Sequence, residues 1–380
     1  MAREADAVPA PSHVLPRWDG LDVLALSFVF GLPPVTLFST LRGEEGEEHE
    51  GTLDLSAGDV TADDPFDALL QVLGVEEAAL IGATARKEAA LAVARARAKG
   101  IEAVPWLTPR YPPRAAGIFD PPLVLWVRGS VDVLSEASVA IVGSRAASVY
   151  GEETAARLAG DLARRGFVVV SGMARGVDAA AHRGALAAGG RTVAVLGCGV
   201  DVVYPPEHGD LAAQVTRNGA VVSELPPGTL PLPFHFPRRN RIISALSLGV
   251  VVVEARQRSG ALITADCALE QGREVMAVPG SVLSERHRGS HTLLKAGAAL
   301  VETAEDVLQV IRAAGALPPG DPCDPLLAMM DAGEPYDLDA LARLSGRDAA
   351  SLLTRLLELE LQGLVRRAGG GRFVRSPGTC

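Results

Sequence analysis

The sequence predicts an α/β protein built on a doubly wound, mostly parallel sheet. From Val139 onward, short and almost continuously apolar runs alternate with longer amphipathic segments, a pattern typical of buried parallel strands connected by helices. Polar turns containing glycine or serine follow these runs, as expected at the carboxyl edge of such a sheet. The 380 residues are enough for two or three domains.

The first part of the chain is predicted to be helical. We expect a disordered leader at residues 1–17 and a small helical domain at 18–105, because short helical patterns there are separated by glycine turns. Residues 44–67 contain ten Asp or Glu and no Lys or Arg, which equals the whole formal net charge of −10. They are expected to form a solvated acidic loop. Since the rest of the chain is balanced, its overall charge does not exclude a nucleic-acid partner.

Residues 106–314 carry the predicted sheet. The expected strands are Leu123–Val127, Val139–Val142, Phe167–Val170, Thr192–Leu196, Ala220–Ser223, Val250–Val253 and Glu274–Val278. The carboxyl ends of parallel strands meet at one edge, so the polar turns that follow them should converge on a single ligand crevice.

Two of these turns are predicted to bind phosphate. Gly143-Ser144-Arg145 and the turn from Ser171 to Gly176, which contains Gly172 and Arg175, each precede a helix whose N-terminus favours anions. The dinucleotide spacing G-x-G-x-x-G and the Walker A sequence are both absent. The alternative is that the glycines only allow tight turns and the arginines are solvated.

Two further basic turns extend the predicted site. One contains Phe236, Arg238, Arg239, Asn240 and Arg241, and the other contains Arg258, Ser259 and Gly260 together with Arg256. Aromatic rings beside clustered arginines are typical of sites for single-stranded nucleic acid. Alternatively, Phe234 and Phe236 belong to the core and one arginine pairs with Glu224 or Glu254; for Phe234 that interpretation is favoured.

No catalytic, metal or cofactor site is predicted. His182, near Asp178, could act with His208 and Glu224 in acid–base chemistry, but a satisfied helix histidine is the favoured interpretation. The four cysteines lack metal-ligand spacing and indicate reduced thiols. No apolar run is long enough to cross a bilayer, and we expect a cytoplasmic protein without a membrane partner.

The last part of the chain is predicted to be a winged helix. Residues 315–325 form a Pro/Gly-rich linker, and residues 326–376 contain three helical patterns followed by a basic hairpin. The predicted wing carries Arg366, Arg367, Arg372 and Arg375, whereas the helices also carry acidic residues. DNA and a partner protein both remain possible targets of this domain.

Several motifs together resemble one family. They are VGSR, SGMARGVDAAAHRGAL, VLGCGVDVVYPPEH, SELPPG, FPRRNRIISALS, EARQRSGALITADCALEQGREVMAVPG and GSHTLLKAGA. In this order and spacing the sequence resembles the DNA-processing protein A (DprA/Smf) family over Trp106–Val310. The resemblance implies an extended Rossmann domain, preceded by a helical SAM-like domain and followed by a winged helix.

The resemblance also implies a function. Members are non-enzymatic proteins that bind single-stranded DNA, protect incoming strands in natural transformation and help to load the RecA recombinase, usually as homodimers through the Rossmann domain. The family's DNA-binding positions fall on Arg145, Arg175, the run Arg239-Asn240-Arg241, and Arg258. Arginine at position 175 replaces the lysine common in relatives and keeps the charge.

Two other classes of function are alternatives. A nucleotide-handling enzyme related to phosphoribohydrolases would require the signature PGGxGT, of which only Pro279-Gly280 is present. A purely structural partner protein is favoured only if no nucleic acid binds. The sequence as a whole predicts a single-stranded DNA-binding protein.

Overall fold

The computed structural model describes residues 20–30, 78–316, 325–331, 333–346, 348–361 and 364–376. The predicted leader, the acidic loop and most of the predicted linker lie outside these residues. The chain divides into two compact units, Met1–Ala304 and Glu305–Cys380. The finer boundaries of the three predicted domains stay predictions.

The first unit contains a nine-stranded sheet. Its strands are β1 (Ile101–Pro105), β2 (Val124–Gly129), β3 (Ser138–Val142), β4 (Val168–Ser171), β5 (Thr192–Val195), β6 (Gly219–Ser223), β7 (Gly249–Val252), β8 (Glu274–Ala277) and β9 (Ala299–Leu300). The order across the sheet is β1-β2-β6-β5-β4-β3-β7-β8-β9. The seven strands from β6 to β9 pair in parallel, whereas β1–β2 and β2–β6 are antiparallel. This arrangement confirms the predicted mostly parallel α/β class.

Helices connect the strands. They are α1 (Gly20–Phe30), α2 (Ala78–Ala98), α3 (Pro113–Ala116), α4 (Val149–Arg164), α5 (Val177–Ala187), α6 (Gly209–Asn218), α7 (His235–Leu246), α8 (Gly260–Glu270) and α9 (Arg288–Lys295). Helix α10 (Ala304–Ala313) begins at the last residue of the first unit. The sequence predicted short helices separated by glycine turns, but α2 is continuous through Gly82, because one glycine costs a helix only about 1 kcal/mol.

Strand β3 is the middle one of the seven parallel strands, and every one of its residues is buried. Ala140 and Val142 belong to the main apolar core together with Val170 and Val252 of the neighbouring strands. The chain first proceeds from β3 through β4 and β5 to β6, and then crosses to β7 on the other side of β3. A crevice is expected at such a reversal of strand order, at the carboxyl ends of β3 and β7.

The segment before β2 also contributes to the first unit. Strand β1 lies in the range assigned to the helical domain, but it pairs with β2 over five residues. Helices α1 and α2 pack against each other and against β1. Leu24 and Ala89 of these helices belong to the same apolar core as Trp126 of β2. This end of the sheet is therefore covered by the helices that precede it in sequence.

The second unit has the winged-helix architecture predicted from the sequence. It contains α11 (Pro325–Ala328), α12 (Leu338–Ser345), α13 (Ala349–Leu361), β10 (Pro335–Tyr336), β11 (Val365–Ala368) and β12 (Arg372–Arg375). The three strands form an antiparallel sheet in the order β10-β12-β11. Asp337 caps α12 by accepting a hydrogen bond from the Ala340 N–H at 2.7 Å, and Gly346 ends this helix in the left-handed conformation.

Candidate nucleic-acid interface

A groove opens at the carboxyl ends of β3 and β7, where the strand order reverses. Its volume is about 440 Å³. The predicted site residues in its wall are Gly143, Ser144, Arg145, Arg239, Asn240, Phe236, Arg258, Ser259 and Gly260, and Arg256 lines it as well. We call this the arginine groove. Three of the four predicted basic turns therefore meet in one place, and the turn that contains Arg175 adjoins them.

The turn that contains Arg175 forms a narrower extension of the groove. Arg145, Phe236 and Arg239 line both parts, and Gly172, Arg175 and Tyr204 are added in the extension. The Arg145 guanidinium lies 5.3 Å from the centroid of the Phe236 ring, and the Tyr204 ring centroid lies at the same distance from Phe236. One exposed cation and two aromatic rings are therefore adjacent. The sequence did not single out Tyr204, although an aromatic residue in the loop after β5 was a usable signal.

The buried residue Glu254 joins the turns that follow β3 and β7. These turns lie on either side of the switch point, the place where the strand order reverses. The Ser144 N–H donates to the Glu254 carbonyl oxygen at 2.7 Å. The Glu254 carboxylate is fully buried and accepts hydrogen bonds from the backbone N–H and the hydroxyl of Ser148, the N-cap of α4. Arg286 pairs with this carboxylate at 3.7 Å and donates to the carbonyl oxygen of Ala146. These buried contacts fix the position of the turn that contains Arg145.

Asp178 has the equivalent role beneath the second turn. This buried carboxylate accepts hydrogen bonds from the N–H groups of Gly172 at 3.1 Å and Ala174 at 3.3 Å. Burial raises the pKa of Asp178, while nearby Arg239 lowers it. The sequence predicted that N–H groups at these two turns would face a phosphate. Instead, oxygen atoms of Glu254 and Asp178 accept hydrogen bonds from N–H groups of these turns. The exposed charge of the groove comes from arginine side chains.

Arg239 forms the floor of the groove. Its side chain donates to the carbonyl oxygens of Gly172, at 2.7 Å, and Val195, and it is only 4% exposed. Burial lowers the pKa of Arg239 to about 10, so the guanidinium remains charged at neutral pH. A Cβ atom at position 172 would lie 2.5 Å from Nη2 of Arg239, which explains the glycine there. Ser171 is also buried, and its hydroxyl donates to the Ile141 carbonyl oxygen at 2.7 Å.

Two predicted arginines lie outside the groove. Arg241 is 9% exposed and pairs with Glu224 at 2.5 Å and with Asp120 at 3.1 Å. Arg238 is half-buried and lies 3.4 Å from the other carboxylate oxygen of Glu224. Pairing with Glu224 was the alternative that the sequence left open. Because these guanidinium groups are already paired, we do not retain Arg238 and Arg241 as DNA contacts.

The remaining arginines differ in their access to a ligand. Arg145, Arg256 and Arg258 are exposed, and none of them forms an ion pair within the part of the chain that the structure describes. Arg175 is exposed and pairs with the exposed Glu207. Their mutual hydrogen bond raises the pKa of Arg175 and lowers that of Glu207. Asn240 supports the basic turn after β7 by donating to the Gly260 carbonyl oxygen at 3.1 Å. The groove therefore presents three unpaired cations and a fourth in a surface ion pair.

Comparison with known proteins identifies the family. Residues 102–312 match the family model described as DNA recombination-mediator protein A, and residues 312–371 match the DprA winged helix domain. The chain belongs to the DprA/Smf family. It is 41% identical to Protein Smf of Escherichia coli over 285 residues, which is 71% of this chain and 76% of that protein.

Two solved structures of DprA proteins are similar to this chain. The structure from Streptococcus pneumoniae has a TM-score of 0.64 and 34% identity, and the match covers 77% of this chain and 98% of that one. The second, from Helicobacter pylori, has a TM-score of 0.51 and 27% identity over 56% of this chain and 96% of that one. That structure describes the single-stranded DNA binding mode of the Helicobacter pylori protein.

Two buried histidines of this DprA family member, His182 and His208, are in structural positions. His182 is fully buried, and its Nδ1 lies 2.7 Å from the Thr192 hydroxyl. Burial lowers the pKa of His182 to about 3, so this ring is neutral at physiological pH. His208 is buried as well, and its Nδ1 lies 2.9 Å from the Met173 carbonyl oxygen. Within the described ranges, no group of three or more His, Cys, Asp or Glu side chains could hold a metal ion.

The arginines of the wing in the second unit differ in whether they form an ion pair. Arg366 and Arg372 are exposed, whereas Arg367 pairs with Glu360 at 2.9 Å. Arg375 donates to the carbonyl oxygens of two residues near α11. Helix α13 exposes Leu353 and Leu357, four positions apart on one helix face. A basic wing beside a partly apolar helix leaves both DNA and protein as possible targets.

No helix among the described residues is both long enough and apolar enough to cross a membrane.

Proposed function

We propose that this chain binds single-stranded DNA in the arginine groove. Arg145, Arg256 and Arg258 would hold successive phosphates, and Arg175 would join them by exchanging Glu207 for a phosphate. The observation that carries the proposal is the convergence of three exposed, unpaired guanidinium groups on the switch point of the sheet. Guanidinium groups bind phosphate through paired hydrogen bonds. Because exposed ion pairs contribute little free energy, the Arg175–Glu207 pair can open at low cost.

Aromatic side chains support a single-stranded ligand in particular. Phe236 and Tyr204 present neighbouring rings beside the Arg145 guanidinium. An unpaired base stacks on such rings, whereas the bases of a duplex are already stacked on each other. Arg239 and Asn240 would support the groove from within, because both are buried and bonded to backbone carbonyl groups.

The wider role follows from membership of the DprA/Smf family. We infer a non-enzymatic, cytoplasmic protein that protects incoming single strands in natural transformation and helps to load a RecA-type recombinase. We further infer that it acts as a homodimer through the sheet-containing unit. Support comes from the two family matches and from relatives named as DNA processing proteins.

The internal carboxylates argue against a nucleotide-handling enzyme. In dinucleotide-binding folds the phosphates lie at the N-terminus of the helix that directly follows the first strand at the switch point. At the corresponding helix α4, the Glu254 carboxylate holds the Ser148 amide and hydroxyl. A free nucleotide would have to displace a buried carboxylate, while a strand on the surface arginines would not.

Binding to labelled DNA tests this proposal. Fluorescence anisotropy with single-stranded and double-stranded oligonucleotides would compare the native chain with the triple variant R145A/R256A/R258A. We expect the triple variant to bind single strands at least about tenfold more weakly, since each lost charge-assisted contact contributes ~1.5–3 kcal/mol. The charge-matched control is R164A/R165A/R191A, which removes three exposed arginines near the amino edge of the sheet. Equal losses in both variants would show a diffuse charge effect and refute the groove.

A further inference from the structure

A second cavity lies behind the turn that connects β4 to α5. Its volume is about 250 Å³, and it lies along helix α6. Most of its wall is aliphatic, including Met173, Leu196, Val200, Val202, Ala212 and Val221. We call it the α6 cavity. Except for Met173, which lies in the turn that contains Arg175, its residues belong to none of the basic turns of the arginine groove.

The backbone of Met173 directs its side chain away from the groove. Gly172, Ala174 and Arg175 line the groove extension, whereas Met173, in the middle of the same turn, lines the α6 cavity. Met173 has a φ of 60°, in the left-handed region that non-glycine residues rarely adopt. The contact between His208 Nδ1 and the Met173 carbonyl oxygen, at 2.9 Å, helps to hold this conformation. Such strain is typically retained where a side chain must point in a set direction.

Tyr204 and Leu196 form the wall shared by the groove extension and the α6 cavity. Tyr204 is 38% exposed and Val203 beside it is 41% exposed, so the rim between the two sites is apolar and accessible. When one base of a DNA strand stacks against Phe236 and Tyr204, the next nucleotides of that strand therefore lie at the mouth of the α6 cavity.

The charges at the cavity match a polyanion. Among the described residues of its wall, the charged side chains are Arg128 of β2 and Arg217 of α6. Both are exposed, and neither forms an ion pair in the described part of the chain. No carboxylate lines the cavity in those residues. An apolar pocket flanked by two free guanidinium groups suits a nucleobase whose neighbouring phosphates lie outside.

We propose that the α6 cavity is a second DNA subsite, which takes one unstacked base while Arg128 and Arg217 hold the adjacent phosphates. This inference rests on the proposed binding of single strands in the arginine groove. It adds a direction to that function: the strand leaves the groove over Tyr204 and continues along α6.

The first experiment varies the length of the strand. Oligonucleotides of roughly 4 and roughly 12 nucleotides, within the range of site sizes of single-strand binders, would be titrated into the native chain and into R128A/R217A. We expect unchanged affinity for the short strand and about a tenfold loss for the long one. The control R164A/R165A should alter neither value. An equal affinity of R128A/R217A and the native chain for the long strand would overturn the subsite, while short-strand binding would still support the groove.

The second experiment separates the base from the charge. An abasic position is moved along the long oligonucleotide, and the native chain is compared with A212F, which fills the cavity. We expect one position at which base removal weakens binding to the native chain several-fold but leaves A212F unaffected. If A212F does not fold, A213F replaces it, since Ala213 lines the same cavity from an exposed position. The absence of any position whose effect depends on the filled cavity would overturn the base pocket, even if R128A/R217A weakens binding.

Discussion

Arg145 and Arg239 both line the arginine groove, but their guanidinium groups lie in opposite environments. Arg145 is exposed and contacts the face of Phe236. Arg239 is buried and donates hydrogen bonds to the backbone carbonyl oxygens of Gly172 and Val195. Charge alone therefore does not define the role of an arginine in this site. The first is a ligand contact in our proposal, and the second supports the turns that carry the contacts.

This difference predicts that substitution of the two arginines changes the free energy of unfolding by very different amounts. R239A should lower the free energy of unfolding by about 3 kcal/mol, because it removes a buried cation from Asp178 and from carbonyl acceptors. R145A should change it by less than about 0.5 kcal/mol, as is usual at exposed positions. Urea denaturation of both variants provides the measurement. If R145A were the more destabilising of the two, the assignment of roles would be incorrect.

His182 predicts a pH dependence of stability. Its pKa of about 3 in the folded chain lies below the ordinary value of 6.5, so the unfolded chain binds the proton more tightly. Stability from this residue is therefore present above pH 6.5 and is lost as the pH falls toward 3. Between pH 7 and pH 4 the native chain should lose about 3 kcal/mol more than H182Q. Asp178, whose shift acts in the opposite direction, is present in both proteins and cancels. Parallel pH profiles of the two proteins would disprove this account.

The sequence predicted the exposed arginines of the site better than the buried ones. Arg145 and Arg175 follow closely after the ends of β3 and β4, so the strand ends predict the edge of the sheet at which they lie. Arg238, Arg239 and Arg241 occupy one helix, where successive residues are separated by about 100°, and so they cannot all face one groove. Glu224 and Asp120, which pair with Arg238 and Arg241, are brought close to them only by the folded chain.

At the level of elements, the central strands could be predicted and the edge strands could not. Strands β3 to β8 are apolar runs buried on both faces, which is a strong signal in sequence. Strand β9 has two residues, and β1 is only half-buried, so neither has a distinctive pattern. Strand β1 pairs with β2 and also contacts α1 and α2, and no local pattern in the sequence encodes these contacts.

Gly176 connects two elements of the site. It precedes α5 with a φ of 69°, and a Cβ atom there would lie 2.3 Å from the Ser144 carbonyl oxygen. G176A should therefore destabilise the fold and also weaken DNA binding by displacing the Arg145 turn. G166A is the matched control, because Gly166 also has a positive φ but has no atom within 4 Å of the added Cβ. The control should lose only about 1–2 kcal/mol of conformational energy. Equal stability and equal affinity of the two variants would show that the close approach is unimportant.

For the whole molecule, the distribution of charge reconciles the proposed DNA binding with a net charge of −10. The excess of acids equals the number of acids at residues 44–67, which lie outside the described residues. The groove, in contrast, collects arginines from turns more than 100 residues apart in sequence. Folding at the switch point creates a local positive field that the overall isoelectric point of 5.3 does not reveal.

The most direct test of the central claim is the salt dependence of single-strand binding. Each phosphate contact on a single strand contributes about 0.7 to the slope of log affinity against log salt concentration. The native chain should show a steep negative slope, and R145A/R256A/R258A should reduce its magnitude by about 2. The control R164A/R165A/R191A should retain the native slope. Identical slopes for the native chain and the groove variant would contradict the proposal that these three arginines hold the DNA backbone.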